Sequence, residues 1–156
     1  MNIIPDNYLA VEPLMIARLE QELGRAVEAV GGVVEYERAL ADPDSPRPAA
    51  FVLYAGDRAA ENVAGQGRAL RLTQLWQVGL LLRPEIDDQN GRASMAQAGR
   101  LIARVLKALA GHRFAPGFMP VRRVQDRGQT VYYADGEALV VLDFEIGIPI
   151  TLESHP

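Results

Sequence analysis

From Leu70 to Arg83 the side chains sort into two sets when read two by two. One set is Leu70, Leu72, Gln74, Trp76, Val78, Leu80 and Leu82; the other is Arg71, Thr73, Leu75, Gln77, Gly79, Leu81 and Arg83. Successive side chains of a strand point to opposite faces, so this pattern predicts a long central strand with one dry and one mixed face. A helix would spread the same apolar residues around its cylinder. Trp76, the single tryptophan, brings the largest apolar surface to the dry face.

The rest of the chain is organised around that strand. A helix is expected from Glu12-Pro13, because proline is tolerated in a first turn whose N–H groups lack partners. Leu14 or Met15, Leu19 and Leu23 continue its stripe, and Gly24 is a natural stop. Ala26 to Val30 reads as a strand or a frayed helix, and Val34 to Ala41 as a short helix of good helix formers. The segment 42–48 carries three prolines and reads as a loop. Ala49 to Ala55 alternates as a strand that Gly56-Asp57-Arg58 ends, and 59–68 is small and polar, a mobile connection. This makes 49–55 and 70–83 antiparallel neighbours.

After a turn-rich loop at 84–91, Arg92 to Ala110 forms the main helix, its stripe being Met95, Ala98, Ile102, Val105 and Leu109. The last third is strand: Pro120 to Asp126, Thr130 to Ala134, a hairpin turn at Asp135-Gly136, and Ala138 to Ile146. Pro149 ends pairing and 147–156 is a loose tail. The expectation is one α+β domain over 1–156: a mostly antiparallel β-sheet with a long helix packed across one face and an N-terminal helix.

Composition narrows the chemistry. A chain of 156 residues suffices for one core. It has no cysteine, which excludes disulfides, thiolate catalysis and cysteine-ligated metals, and its two histidines make a histidine metal site improbable. The net charge of −4 gives no footprint for wrapping nucleic acid. Fifteen of the sixteen basic residues are Arg, Lys107 being the exception, which suits bidentate carboxylate pairing at interfaces or reflects coding bias. Met1 to Ala10 lacks the charged start and apolar core of a signal peptide, and no apolar run approaches a membrane span, so the chain reads as soluble and intracellular when made.

Each candidate site has a plainer structural reading. Asp87-Asp88 sits beside Gln89-Asn90-Gly91 and reads as a solvated turn rather than a Mg²⁺ site. Asp42 and Asp44 are turn formers among prolines. His112 follows the helix-ending Gly111, where an imidazolium would favour the helix dipole, and no nucleophile motif accompanies it. Gly65-Gln66-Gly67 lacks the strand-then-helix context of a dinucleotide loop. Arg122, Arg123 and Arg127 lie near Tyr132 and Tyr133, but strand alternation sends Arg122 and Arg123 to opposite faces, which suits an interface or a charged edge better than a nucleic-acid platform.

The order of these segments resembles the phage tail terminator (tail completion) proteins, including their Mu-like and prophage branches. The resemblance is carried by VEPLMIARLEQEL at 11–23, PAAFVLYAGDR at 48–58, LTQLWQVGLLLR at 72–83, AQAGRLIARVLKALAGHRF at 96–114 and YYADGEALVVLDFEI at 132–146. It implies a structural virion protein rather than an enzyme, with no cofactor and no metal. Such a subunit would form a homo-oligomeric ring, typically a hexamer, that caps the tail tube, ends its polymerisation and offers a head-joining surface. Its partners would be copies of itself, the tail tube protein and a head completion or neck protein, with neither specific nucleic-acid binding nor a membrane. It would assemble in the bacterial host cytoplasm and reside in the virion tail, its acidic charge suiting a lumen through which DNA slides. Asp57, Arg58, Arg83, Arg122 and Arg123 are the interface candidates, and the loops 42–48 and 59–68 are where a partner would be gripped, ordering on binding. The alternatives are another neck or baseplate component of a tail-like machine, or a small ligand-binding or hydrolytic α+β domain.

Overall fold

A computed structural model describes residues 7–64, 69–83, 92–124, 131–134 and 137–151. The order along the chain is α1 (Val11–Leu23), a 3-10 turn (Gly24–Ala26), β1 (Ala29–Gly31), α2 (Val33–Ala41), β2 (Ala49–Ala64), β3 (Ala69–Leu82), α3 (Arg92–Leu109), β4 (Arg122–Arg123), β5 (Val131–Ala134) and β6 (Glu137–Thr151). The strands form one sheet in the order β1-β2-β3-β6-β4, with β5 also on β6. Only the β1–β2 pairing is parallel among these ladders. The fold is the α+β arrangement expected, with β3 central.

The dry face of β3 is dry in fact: Trp76, Val78, Leu80 and Leu82 are buried, joined by Val140, Leu142, Phe144, Ile146 and Ile148 of β6. Helices α1 and α3 cover that face. Helix α1 buries Val11, Met15, Leu19 and Leu23, a strict four-residue spacing that gives a narrow stripe. It ends because Gly24 takes φ 49, a conformation that costs glycine little, and the Gly24 N–H closes on the Glu20 carbonyl. The Arg18 Nε–H donates to the Ala108 carbonyl at 3.0 Å, placing a cation at the carbonyl end of α3 and tying the two helices together. Burying each large apolar side chain of this core contributes about 1.5–3 kcal/mol.

Helix α3 buries Ser94, Ala98, Leu101, Val105, Ala108 and Leu109. The expected stripe is therefore rotated by about one residue at its ends: Met95 is exposed and Ile102 half-buried, while Leu101 points inward. Met95–Ala98–Ile102 and Ser94–Ala98–Leu101 satisfy the same three-and-four spacing, and packing against α1 selects the second.

On the opposite sheet face a smaller cluster joins Ala39 of α2 to Ala49, Phe51 and Leu81, with Tyr36 packed on Phe51 at 5.4 Å between ring centroids. Glu35 starts this helix, accepting the Gly32 N–H at 3.0 Å. Backbone N–H groups, its own first, hold the Glu35 carboxyl below the usual range.

Strand β2 runs to Ala64, nine residues past its expected end at Ala55, so 59–64 is strand rather than connection and only 65–68 lie outside the described residues. Gly56 does not stop it but lets it bulge: φ is +110 there, and the register to β3 shifts between Tyr54 and Gly56. Two further shifts follow, at Arg58/Glu61 and Asn62/Ala64. The β3–β6 register, by contrast, is continuous from Ala69↔Thr151 to Leu82↔Ala138. Residues 147–151, expected to be loose, are therefore strand; 152–156 lie outside the described residues, as does the expected Asp135-Gly136 turn.

Close packing at Gly147 gives a first prediction. A Cβ there would sit 2.6 Å from Cγ and 3.0 Å from Cβ of Met119. Gly147→Ala should lower stability by about 1–3 kcal/mol through overpacking, read as a fall in the urea midpoint. Adding Met119→Ala should restore most of the loss; an unchanged midpoint in the single variant would show that Met119 yields without cost.

Candidate interaction surface

Among the described residues, the helix on the other sheet face, opposite α1 and α3, is α2, which packs on β1 and β2. On that face Leu75 stands opposite Glu145 and Gln77 opposite Asp143. The Gln77 amide donates to Asp143 Oδ1 at 2.8 Å. After the bulge, Arg58 stands opposite Thr73 and so joins the same face, while β4 sets Arg122 opposite Glu145.

The two guanidinium groups meet at one carboxylate. Arg58 Nη1 lies 3.5 Å from Glu145 Oε2 and Arg122 Nε 3.3 Å from Glu145 Oε1. The Glu145 side chain is 12% exposed, those of Arg58 and Arg122 50% and 76%. A covered anion thus anchors two largely exposed cations. Such pairs contribute little to stability, at most about 1 kcal/mol each, but they hold planar, multi-donor groups toward solvent, suited to a partner's carboxylates.

The other interface candidates are dispersed. Arg123 belongs to the helix side: its Nη1 donates to the carbonyls of Asp143 at 2.8 Å and Val124 at 3.2 Å, and its guanidinium lies 5.7 Å from the Phe144 ring centroid. It braces the β6 edge. Arg83 is at the far end of β3, its Nη2 donating to the Pro43 carbonyl at 3.4 Å. The bulge turns Asp57 to the helix side, opposite Gln74, where its carboxylate accepts the Tyr8 hydroxyl and, at 3.3 Å, the Tyr54 hydroxyl. The structure brings together Arg58 and Arg122 and separates Asp57, Arg83 and Arg123 from them.

The Tyr8 cluster fastens the segment before α1 to the hairpin. The Gln74 amide donates to the Tyr8 carbonyl at 2.7 Å, the Trp76 indole N–H donates to Gln74 Oε1 at 3.1 Å, and Tyr8 meets Tyr54 edge-on. Gln74 was the signal in the sequence, as the one polar residue on the dry face. Burial first, then the bond to Asp57, push the Tyr8 phenol well above its ordinary value. With the folded-state pKa raised, this contribution is complete below the unfolded value of about 10 and falls away as pH rises past it. Tyr8→Phe should cost up to about 1 kcal/mol at neutral pH and flatten the alkaline loss of stability. Urea titrations on either side of pH ~10 check this; an equally steep alkaline loss in the variant would remove Tyr8 as its source.

The loop at 42–48, expected to order on a partner, is organised by its own arginine. Arg47 is 7% exposed, and its guanidinium donates to the carbonyls of Ala39, Ser45, Asp42 and Pro43 at 3.0 to 3.3 Å and to Ser45 Oγ at 2.5 Å. Asp42 also accepts the Asp44 N–H at 2.9 Å, confirming the turn-forming role read for both.

His112 differs from expectation. Burial, with Arg18 nearby, pushes its imidazole below the ordinary value despite the opposing Glu22, so the neutral ring is favoured over an imidazolium at the helix end. Its ring meets Phe114 edge-on at 4.7 Å. Asp87, Asp88, Gly65 to Gly67, Arg127 and the side chains of Tyr132 and Tyr133 lie outside the described residues. Among the described residues no three His, Asp or Glu side chains gather as a metal site, and no helix is long and apolar enough to cross a membrane.

Among the described residues, one sheet face is covered by α1 and α3 and the other carries the Arg58–Glu145–Arg122 cluster, in a small α+β domain. The sequence matches the phage tail terminator protein family over residues 4–154, and the chain belongs to that family. It is accordingly a structural protein of a phage tail. A solved chain described as "Virion of native gene transfer agent (GTA) particle" superposes with a TM-score of 0.54 at 13% identity, over 93% of this chain and 100% of that one, a likeness of fold. A second solved chain, at TM-score 0.39 and 16% identity over 90% of this chain and 97% of that one, is too distant to carry an argument. No curated protein matches the sequence.

Proposed function

We propose that this protein ends tail-tube growth: copies close into a ring, a hexamer in the family pattern, that caps the tube and presents the surface to which the head completion or neck protein joins. Membership of the tail terminator family over nearly the whole chain carries this reading. The open sheet face supports it, because Arg58 and Arg122 are oriented on a covered carboxylate and exposed to a partner. This face, with the β2–β3 hairpin that extends past the bulge, is the surface assigned to the tube protein.

Co-sedimentation with polymerised tube protein tests the assignment. The wild-type chain should pellet with tubes in amounts that follow the number of tube ends rather than tube mass. Arg58→Gln with Arg122→Gln removes both charges while leaving Glu145 amide donors. It should reduce pelleting roughly tenfold, while stability falls by no more than about 2 kcal/mol, up to about 1 kcal/mol for each lost pair. Undiminished pelleting by the double variant would remove this face from the tube contact.

A further inference from the structure

Charge is segregated along this chain in a way that net charge conceals. Residues 92–124 contain seven Lys and Arg and no Asp or Glu, whereas 28–44 contain Glu28, Glu35, Glu37, Asp42 and Asp44 against Arg38 alone. The fold sends these stretches to opposite sides. The acidic stretch comprises β1, the edge strand beyond β2, with α2 and the start of the loop that follows it. The basic stretch comprises α3 and the loop that leads to β4 on the other edge, where the Met119 N–H is held by the Gly147 carbonyl of β6. Both sides are exposed at Glu28, Glu37, Lys107 and Arg113, and these four make no ion pair among the described residues.

Apolar surface accompanies the charge on both edges. A cleft of about 220 Å³ opens between α2, β1 and the 42–48 loop, lined by Ala29, Ala39 and Phe51 together with Glu35 and Asp42 and one cation, Arg38. Val33, Val34 and Leu40 of α2 are about half exposed. On the basic side Met119 is 43% exposed, an unbranched side chain able to fill an irregular cleft.

We propose that the acidic edge of one copy receives the basic edge of the next, so that the α2–β1 cleft docks the α3–β4 loop of a second copy of this chain. The inference rests on the ring reading and names its two faces. Like edges would repel, acidic on acidic and basic on basic, which disfavours a two-fold contact; unlike edges on opposite sides of one subunit make a head-to-tail contact, the kind that closes into rings. The attraction between exposed charges is screened by salt, so assembly weakens as ionic strength rises.

Two charge-reversed proteins test it: Glu28→Arg with Glu37→Arg on the acidic edge, and Lys107→Glu with Arg113→Glu on the basic edge. All four side chains are exposed and none caps or braces an element, so circular dichroism should show both proteins folded. Native mass at low salt should show wild type assembling, and each variant alone requiring roughly tenfold higher concentration or more to do so. Mixed in equal amounts, the two should assemble together, because each reversed face then meets the other's complement in an alternating ring. Wild-type assembly with undisturbed assembly of either variant alone, or variants that fail alone and in mixture, would overturn this pairing of faces and leave the ring reading standing. A wild-type chain that stays monomeric at every concentration would overturn both.

Discussion

Replacing Trp76 by alanine is expected to lower stability by about 3–5 kcal/mol, the range for emptying an aromatic site in a packed core. The indole is fully buried on the central strand, 5.2 Å from the Tyr54 ring, and its N–H is the partner of Gln74 Oε1. Deletion therefore removes packing against α1 and α3 and leaves a buried amide oxygen short of a donor, two costs with different remedies. Trp76→Phe keeps most of the volume and strands only the Gln74 oxygen, so it should lose about 1–3 kcal/mol. Urea unfolding followed by far-ultraviolet circular dichroism separates the two, since the fluorophore itself is deleted. An alanine variant within 1 kcal/mol of wild type, on the scale of ~5–15 kcal/mol for a whole domain, would mean that the dry face of β3 is not the core.

The second large effect is expected at Arg47. Its guanidinium is buried and spans carbonyls from Ala39 in the last turns of α2 to Ser45 in the loop. Arg47→Met keeps the stem but orphans those carbonyls at the negative end of the helix dipole, and should cost about 3 kcal/mol, since bonds to a charged donor are worth roughly 1.5–3 kcal/mol each. Arg47→Lys should recover less than half of this, because an ammonium is a point charge that does not span the same set of acceptors. Hydrogen exchange locates the damage: amides of α2 and residues 42–48 should lose protection while those of β3 and β6 keep it. Uniform loss across the sheet would show that Arg47 holds more than its corner.

These two positions mark what was legible in the sequence. Trp76 was readable because strict alternation over 70–83 has one solution, a strand with a defined dry face, and the β6 partner repeats the same alternation. The termini of α1 and α3 were readable from Pro13, Gly24 and Gly111. What failed to show were features created by pairing. Gly56 reads as a stop, yet within a hairpin a glycine with positive φ absorbs one residue as a bulge and the strand continues. Alternation alone separates Asp57 from Arg58, but the bulge decides which goes where: it takes Asp57 to the helix side and Arg58 to the open side, the reverse of the assignment an unbroken strand would give. Arg47 was hidden among prolines: a charged residue in such a loop reads as solvated until the carbonyls of the preceding helix are known to converge on it. Glu145 appeared only as a polar position on a strand, and its two arginines, 87 and 23 residues away in the chain, are brought together by β2 and β4 flanking the β3–β6 ladder.

Trp76 and Arg47 hold the scaffold together; termination is read on the tube. Purified tail tube protein polymerised with and without this chain, with tube lengths measured by negative-stain electron microscopy, tests it most directly. With the chain present at ring-to-end stoichiometry, tubes should stop growing after addition, their length set by the time at which the chain was added and a density cap visible at one end. Tubes that continue to lengthen at the uncapped rate, with the chain absent from their ends, would contradict a terminating role.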